Sequence, residues 1–324
     1  MRAAEFFAGM GLMRAGLERV GVTTVFANDI DTTKAALYRS NWGDDVLVVE
    51  DIRNLHGDDI PDAEIATASF PCVDMSLAGN LAGLDGEQSG LITEFCRILI
   101  EMGERRPRAV IVENVPGFAT VNGGRDFAQV VEMLESLGYA VNSIVVNASA
   151  FVPQSRARVF LLGALGEQPL LPEVPKAASL RLVDVASAGG DWWPPDRRDA
   201  FLESLSPLQR ERIESWHRDD RIRFLGAYRR TRNGRAVWEV RSDEIAGALR
   251  TTRGGSSRQA LVRVGRDRFD VRWMDVDEYA RLQGAETLNY DSVSERQAMF
   301  ALGDAVCVPV IEWLGQNWLM RLAA

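Results

Sequence analysis

Short apolar runs alternate with longer amphipathic stretches through the first half of the chain. The runs at 3–8, 23–28, 63–69, 109–114, 139–147 and 158–165 predict strands. The stretches at 12–20, 32–41, 91–105 and 125–137 carry apolar residues at helical spacing and predict helices. Strands alternating with helices predict a mostly parallel sheet covered on both faces. In such sheets ligands bind beyond the carboxyl ends of the strands, and Gly9, Asp29, Cys72 and Glu113 all fall at or just past such ends. From about residue 166 the pattern breaks down, and Pro169, Pro172, Pro175, Pro194 and Pro195 punctuate a loop-rich segment. Residues 276–283 and 295–302 read as helices again, and 305–322 as a strongly apolar closing helix. The expected architecture is an α/β body over 1–165, completed by 303–324, with a smaller irregular domain over 166–299. No internal repeat or low-complexity tract interrupts it.

Composition supports this picture. At 324 residues, 46% hydrophobic and 26% charged, the chain suits about two domains with a real core. No apolar run approaches the ~20 residues that span a bilayer, so no membrane partner is expected. The N-terminus enters a core strand at once, so no signal peptide is expected. Three widely spaced cysteines (Cys72, Cys96, Cys307) point to reduced thiols and a cytoplasmic setting. Two histidines (His56, His217) and the lack of a Cys-x-x-Cys pair argue against a structural zinc site. The net charge of −9 is unevenly spread: residues 205–272 hold 17 arginines against 9 acidic residues, a balance of +8 that leaves −17 on the remainder. Trp216, Tyr228 and Trp238 are interleaved there. Such a segment fits either a phosphate-binding footprint or a solvated arginine-rich surface.

Phe7-Ala8-Gly9-Met10-Gly11 ends the first strand and opens a helix. Its glycines permit close approach of a ligand to the backbone, or simply a tight turn. Arg14 stands where Gly-x-Gly-x-x-Gly would have its third glycine, which favours a cofactor without phosphates. Asp29 is placed to hold ribose hydroxyls, and Asp51 to accept from an adenine amino group. Cys72 lies on a polar, Gly-rich stretch at 71–90, which favours a reactive thiol over a buried one. Cys96 and Cys307, on apolar helical faces, read as buried. Glu113 follows Ala109-Val110-Ile111-Val112. Burial there would favour its protonated form and let it donate to a ring nitrogen, unless local backbone amides satisfy it. Arg156 and Arg158, two residues apart, are expected to point the same way from one strand and to need anionic or carbonyl partners.

These residues, in this order, resemble the cytosine-5 DNA methyltransferases. The cofactor turn of that family resembles Phe7-Ala8-Gly9-Met10-Gly11, and its catalytic loop resembles Phe70-Pro71-Cys72-Val73-Asp74-Met75-Ser76 through Ser89-Gly90-Leu91. Its Glu-Asn-Val motif is similar to Glu113-Asn114-Val115, and its Gln-x-Arg-x-Arg motif to Gln154 through Arg158. Arg281-Leu282-Gln283 and the closing Gly303-Asp304-Ala305-Val306 complete six motifs in family order. The match covers most of the chain outside the variable middle.

The resemblance implies a Rossmann-like methyltransferase sheet and S-adenosylmethionine as cofactor, held by Phe7, Ala8, Gly9, Gly11, Asp29, Ile30, Asp51, Ile52, Pro71, Leu91, Asp304, Ala305 and Val306. It implies catalysis by Cys72, Glu113, Arg156 and Arg158 on a cytosine flipped out of duplex DNA. It also implies DNA contacts from Ser76, Gln154, Arg229, Arg230, Arg232, Arg253 and Arg258, with Gly254-Gly255-Ser256-Ser257 near a phosphate. Target recognition would lie in 166–299. A monomeric enzyme is expected, in a restriction–modification, orphan or phage setting, with a cognate restriction endonuclease as a functional rather than physical partner. Two positions depart from the family pattern: Leu12 replaces a glycine, and Asp304 replaces an asparagine that supports the catalytic loop and cofactor pocket. Three other readings compete: an RNA (tRNA) cytosine methyltransferase on the same fold, a non-catalytic DNA-binding paralogue, and a nicotinamide-dependent oxidoreductase. The last lacks both the third glycine and a catalytic His or Tyr set.

Overall fold

The computed structural model describes residues 1–71, 90–176, 178–232, 235–251 and 258–322, with main chain only at 231, 232, 235 and 236. Cys72, Ser76, Arg253, most of the 71–90 stretch, Gly254 to Ser257 and the Arg232 side chain lie outside the described residues. The chain divides into two compact units. One comprises Met1–Asn147, Ala157–Val174 and Ala305–Ala324, and the other Ala148–Arg156 and Pro175–Asp304.

The first half contains β1 (Arg2–Phe6), α1 (Leu12–Glu18), β2 (Thr23–Asp29), α2 (Thr32–Trp42), β3 (Leu47–Val49), β4 (Ile65–Ala68), α3 (Leu91–Met102), β5 (Ala109–Asn114), α4 (Arg125–Ser136), β6 (Tyr139–Asn147), the two-residue β7 (Gln154–Ser155) and β8 (Ala157–Leu165). Seven of these strands form the sheet of the first unit, in the order β3-β2-β1-β4-β5-β8-β6. Pairing is parallel from β3 through β5 and antiparallel around β8. β5 is buried at every position, which is why its sequence is a continuous apolar run rather than an alternation. Phe6, Phe26 and Phe95 pack edge to face or tilted in the core on one side, with Ile98, Leu99, Val110 and Val112. α2 begins at Asp31, whose carboxylate accepts from the amides of Thr33 and Lys34 and so caps donors the helix leaves unpaired.

The second unit holds α5 (Leu182–Val185), α6 (Pro195–Ser204), α7 (Pro207–His217), β9 (Arg223–Arg232), β10 (Arg235–Val240), β11 (Ala246–Gly247), β12 (Ala260–Gly265), β13 (Arg268–Trp273), α8 (Val276–Gln283) and α9 (Glu295–Asp304). It is more regular than its sequence pattern suggests. β10-β9-β12-β13 form an antiparallel sheet, and one face buries Leu225, Ala227, Val262, Val264 and Val271 with Trp193 and Phe201. Asp275 and Glu278 make a capping box at the start of α8. Glu278 also pairs with the buried Arg272 at 2.5 Å.

The first unit closes with α10 (Val308–Asn317). The single apolar helix expected at 305–322 begins later, because Pro309 stands in the first turn, where proline is tolerated. Glu295–Leu322 has the length and composition of a bilayer span, but 72% of its apolar window is buried in the protein. It is divided between α9 and α10 by non-helical residues at 305–307.

α1 and α10 meet through small residues. A Cβ on Gly16 would lie 2.5 Å from Ile311 Cβ and 2.9 Å from the Val308 carbonyl, and one on Gly315 would lie 2.7 Å from Val20 Cγ2. Gly16→Ala would gain about 1 kcal/mol of helix propensity, but the overpacking it forces costs about 1–3 kcal/mol. The expected net result is a lower denaturant midpoint, and an unchanged or raised midpoint in urea unfolding would contradict this packing.

Candidate active site

Gly9 and Gly11 serve different needs. Gly9 has φ +58° and its amide donates to Asp29 Oδ2 at 2.7 Å; a Cβ there would meet nothing closer than Lys34 Cδ at 3.9 Å. That position is open, as a ligand turn requires. Gly11, the left-handed residue before α1, is crowded by this chain itself. A Cβ would fall 2.4 Å from Trp42 Nε1, the nitrogen that donates to the Met10 carbonyl. The expectation that both glycines admit a ligand is therefore corrected for Gly11. Phe7 also takes a positive φ, +56°, uncommon for a bulky residue. Ala8 donates to Asn28 O and accepts from Gly11 N, and Leu12, at the departure from the family pattern, is buried as the first residue of α1.

Asp29 ties this turn to the next loop: Oδ1 accepts from Asp31 N at 2.8 Å while Oδ2 holds Gly9. Burial pushes its carboxyl above the usual range. Ile30, just beyond β2, is 63% exposed. Asp51 caps the short turn Ile52–Asn54 and grips Arg53 with both oxygens; hydrogen bonds from the Arg53 side chain hold its carboxyl low. The Ile52 side chain is buried in the core, and Leu91 opens α3 and packs on that core. Ala305 and Val306 begin the last stretch of the first unit, and Asp304 is the exposed last residue of α9 in the second.

Glu113 and Arg158 come together. β5 and β8 are antiparallel neighbours with Glu113 opposite Phe160. Arg158 stands two residues from Phe160, on the same face. Arg158 Nε lies 2.8 Å from Glu113 Oε1, and Glu113 is only 6% exposed. A guanidinium is thus the partner that the sequence left open between backbone amides and none. The next residue, Asn114, donates through Nδ2 to the Phe70 carbonyl at 3.1 Å. That bond anchors the chain leading to Pro71 beside the Glu113 strand end. Cys72 follows Phe70 by two residues in sequence and lies outside the described residues.

Arg156 does not share a strand with Arg158. It falls between β7 and β8 in the second unit, so the two-residue alternation does not apply to the pair. Its Nη1 donates to the carbonyls of Leu249 (2.8 Å) and Gly303 (3.3 Å). Gln154, expected on DNA, is 0% exposed. Its Nε2 donates to Leu282 O at 2.7 Å and its Oε1 accepts from Leu249 N at 3.0 Å. The amide is used at both ends inside the unit, which corrects the reading of Gln154 as a DNA contact. Arg230 pairs with Glu239 at 3.2 Å, Arg258 bonds Met274 O and Glu295, and Arg229 packs its guanidinium over the Trp238 ring.

Glu5 was not anticipated. It lies within β1, 2% exposed, with Oε2 lacking a partner among the described residues. The Arg14 main-chain amide, in the first turn of α1, donates to its carboxyl, a role Gly11 has no side chain to fill. The one charge in the run Ala3-Ala4-Glu5-Phe6-Phe7 was the available signal. Burial pushes the Glu5 carboxyl from 4.5 up to about 8, against the lowering effect of Arg14. An acid with a raised folded pKa holds its proton longer in the folded state. Its contribution is therefore full at low pH, and stability falls as pH rises from about 4.5 through 8. Glu5→Gln mimics the neutral acid, so its stability relative to the parent should rise steadily between pH 5 and 8.5. A constant difference in thermal midpoint across that range would contradict the assignment.

The residue set fits a nucleoside cofactor. Asp29 and Asp51 stand at the carboxyl ends of β2 and β3 beside exposed Ile30 and the open turn at Gly9. Carboxylates in this position accept from ribose hydroxyls and from an adenine amino group.

A family model described as C-5 cytosine-specific DNA methylase matches residues 1–319. The Type II methyltransferase M.NgoBI of Neisseria gonorrhoeae is 29% identical over 318 residues, covering 96% of this chain and 90% of that protein. The Type II methyltransferase M.Bsp6I of Bacillus sp. is 35% identical over 167 residues, about half of each protein (50% and 52%). Among solved structures, S. pombe Dnmt2 methyltransferase superposes with a TM-score of 0.71 at 19% identity, covering 100% of both chains, a likeness of fold.

Proposed function

The chain belongs to the C-5 cytosine-specific DNA methylase family, and from that premise we propose that it methylates carbon 5 of cytosine within a short duplex DNA sequence, by covalent addition of Cys72 to a flipped base. The observation that carries the reading is the Glu113–Arg158 pair, 2.8 Å apart at the strand end beside Phe70. Nitrogen 3 and the carbonyl oxygen are adjacent on the cytosine ring. A carboxyl and a guanidinium side by side match that edge, the first holding a proton at nitrogen 3 and the second donating to the oxygen.

Cytosine is a poor nucleophile at carbon 5. The Cys72 thiolate adds to carbon 6 and the electron pair of the ring double bond moves to carbon 5. Glu113 and Arg158 stabilise the charge placed on the ring. S-adenosylmethionine, when bound, supplies an electrophilic methyl group on sulfur. Carbon 5 then loses its proton to water, and the returning electron pair expels the Cys72 thiolate. Phe7, Ala8, Gly9, Asp29, Ile30, Asp51, Ile52, Pro71, Leu91, Asp304, Ala305 and Val306 are assigned to the cofactor, through backbone in part. The hydrogen bonds of Arg156 make it a tie within its own unit, so we assign the chemistry to Arg158.

We place catalysis and cofactor binding in 1–165 with 303–324, target recognition in 166–299, and DNA contacts, on phosphates or guanine edges, at Ser76, Arg229, Arg230, Arg232, Arg253 and Arg258. A monomer acting in the cytoplasm on duplex DNA, beside a restriction endonuclease that shares its target sequence, completes the proposal. The test is transfer of labelled methyl from S-adenosylmethionine to unmethylated genomic DNA, followed by bisulfite sequencing. Methylcytosine confined to one short context supports the reading; transfer to tRNA and none to duplex DNA overturns it.

A further inference from the structure

In the second unit the aromatic core stays open at one end. Arg229 stands directly opposite Trp238 across β9 and β10, and Trp273 opposite Ala260 across β13 and β12. Ala227 and Ala260, paired on the two middle strands, are small enough for the outer-strand indoles to meet above them, with Trp238 and Trp273 centroids 5.4 Å apart. Trp193 packs on both, at 5.6 and 5.2 Å. A cavity of about 210 Å³ remains, lined by Trp193, Arg197, Phe201, Arg229, Trp238 and Trp273 among others.

Two of its arginines, Arg197 and Arg229, have no carboxylate partner among the described residues, whereas Arg230, Arg258, Arg263 and Arg272 of the same unit do. Arg197 stacks at 4.0 Å over Trp193, and Arg258 lies 5.6 Å over Trp273. Arg197 occupies the first turn of α6, the positive end of a helix dipole, where the neighbouring Asp196 is the one acidic residue. Burial, then Arg229 and Arg258, push its guanidinium below the usual range. Independently, the Trp193 indole Nε1 is buried without a hydrogen-bond partner among the described residues, though buried donors are nearly always satisfied.

We propose that this pocket anchors a backbone phosphate of duplex DNA between Arg197 and Arg229. Guanidiniums stacked on indole faces keep their in-plane N–H groups free for phosphate oxygens. The indole faces are already covered by guanidiniums and by one another, which leaves no slot for a stacked base. The volume is below the ~300 Å³ of ordinary small-molecule sites, so a single phosphate group fits better than a cofactor. Phosphate contacts fix position on the duplex and carry no sequence information. The pocket therefore sets affinity and salt dependence and leaves the methylated sequence unchanged. This inference rests on the proposed DNA substrate.

The test is fluorescence anisotropy of a labelled duplex carrying the methylated sequence, titrated from 50 to 300 mM salt with the full chain and with Arg197→Ala/Arg229→Ala. Loss of one anchored phosphate lowers the slope of log K against log salt by about 0.9 and the affinity at 0.1 M salt about tenfold. The bisulfite pattern and the S-adenosylmethionine affinity should stay as in the parent, the latter also reporting that the variant is folded. Arg197→Lys/Arg229→Lys, which keeps both charges, should restore the slope. An unchanged slope and affinity in the alanine variant, or a relaxed methylation context, overturns the pocket while leaving methyl transfer intact. A parent chain that binds duplex through these arginines yet transfers no methyl group overturns the catalytic reading and keeps the pocket. A parent that binds no duplex overturns both.

Discussion

Cys72→Ala is expected to abolish methyl transfer to duplex DNA, with a fall of at least about a thousandfold in single-turnover rate, while duplex binding stays within a few-fold of the parent. No other cysteine can take its place. Cys96 is 0% exposed in the core, and burial pushes its thiol up to about 12, where almost no thiolate exists near neutral pH. Cys307 is buried too. The chemistry asks for a thiolate next to the groups that hold the ring. Asn114 fixes the Phe70 carbonyl beside Glu113, and Cys72 is two residues further along the chain. Rapid-quench measurement of labelled methyl incorporation decides the matter. Residual transfer within tenfold of the parent would mean that the ring is activated without covalent addition, and the assignment of Cys72 would fail.

The second large effect is expected from Glu113→Gln. An amide has the shape of the carboxyl group but cannot give up a proton to nitrogen 3, and proton transfer by a positioned side chain contributes about 10²–10⁴-fold. A loss in that range is expected in the rate of methyl transfer, with duplex affinity retained. The substitution also alters one partner of a largely buried pair, so the thermal midpoint should fall as well. The two effects separate by temperature: a rate deficit that persists well below the lowered midpoint belongs to the chemistry. If the rate falls less than tenfold, Glu113 only positions Arg158, and the proton at nitrogen 3 comes from elsewhere.

The central strands of the first unit, such as β4 and β5, are legible in sequence because they are buried on both faces, and the edge strand β6 because Gly138 and Asn147 bound it. β5 and β6 begin and end at the predicted residues, 109–114 and 139–147, since each is an apolar run or alternation bounded by Gly, Pro or Asn. The second unit is less legible. In β9 the inward set is Leu225, Ala227 and Arg229, and an arginine on the buried face, lying over Trp238, disguises the alternation that marks a strand. Gln154 looks like a ligand contact because its partners, Leu249 and Leu282, lie 95 and 128 residues away. Local pattern carries no trace of such a pairing. Gly11 was legible as a left-handed turn but not as the seat of Trp42, for the same reason. Glu5 was visible as a charge in an apolar strand, and its contact with the Arg14 amide explains why β1 tolerates it. The pairing of Glu113 with Arg158 follows from the antiparallel register of β5 and β8, which a reading of consecutive strands as parallel would have missed.

The most direct measurement of the central claim is a covalent trap. The chain is incubated with S-adenosylmethionine and a duplex bearing 5-fluorocytosine at the methylated position, then denatured and weighed by mass spectrometry. Fluorine at carbon 5 cannot leave as a proton does, so a cysteine that has added to carbon 6 stays attached after methyl transfer. The account predicts a species whose mass is the sum of protein, DNA strand and one methyl group, mapped by peptide digestion to Cys72 and absent from Cys72→Ala. Methyl transfer to the ordinary duplex with no adduct on the fluorinated one would contradict covalent catalysis by Cys72.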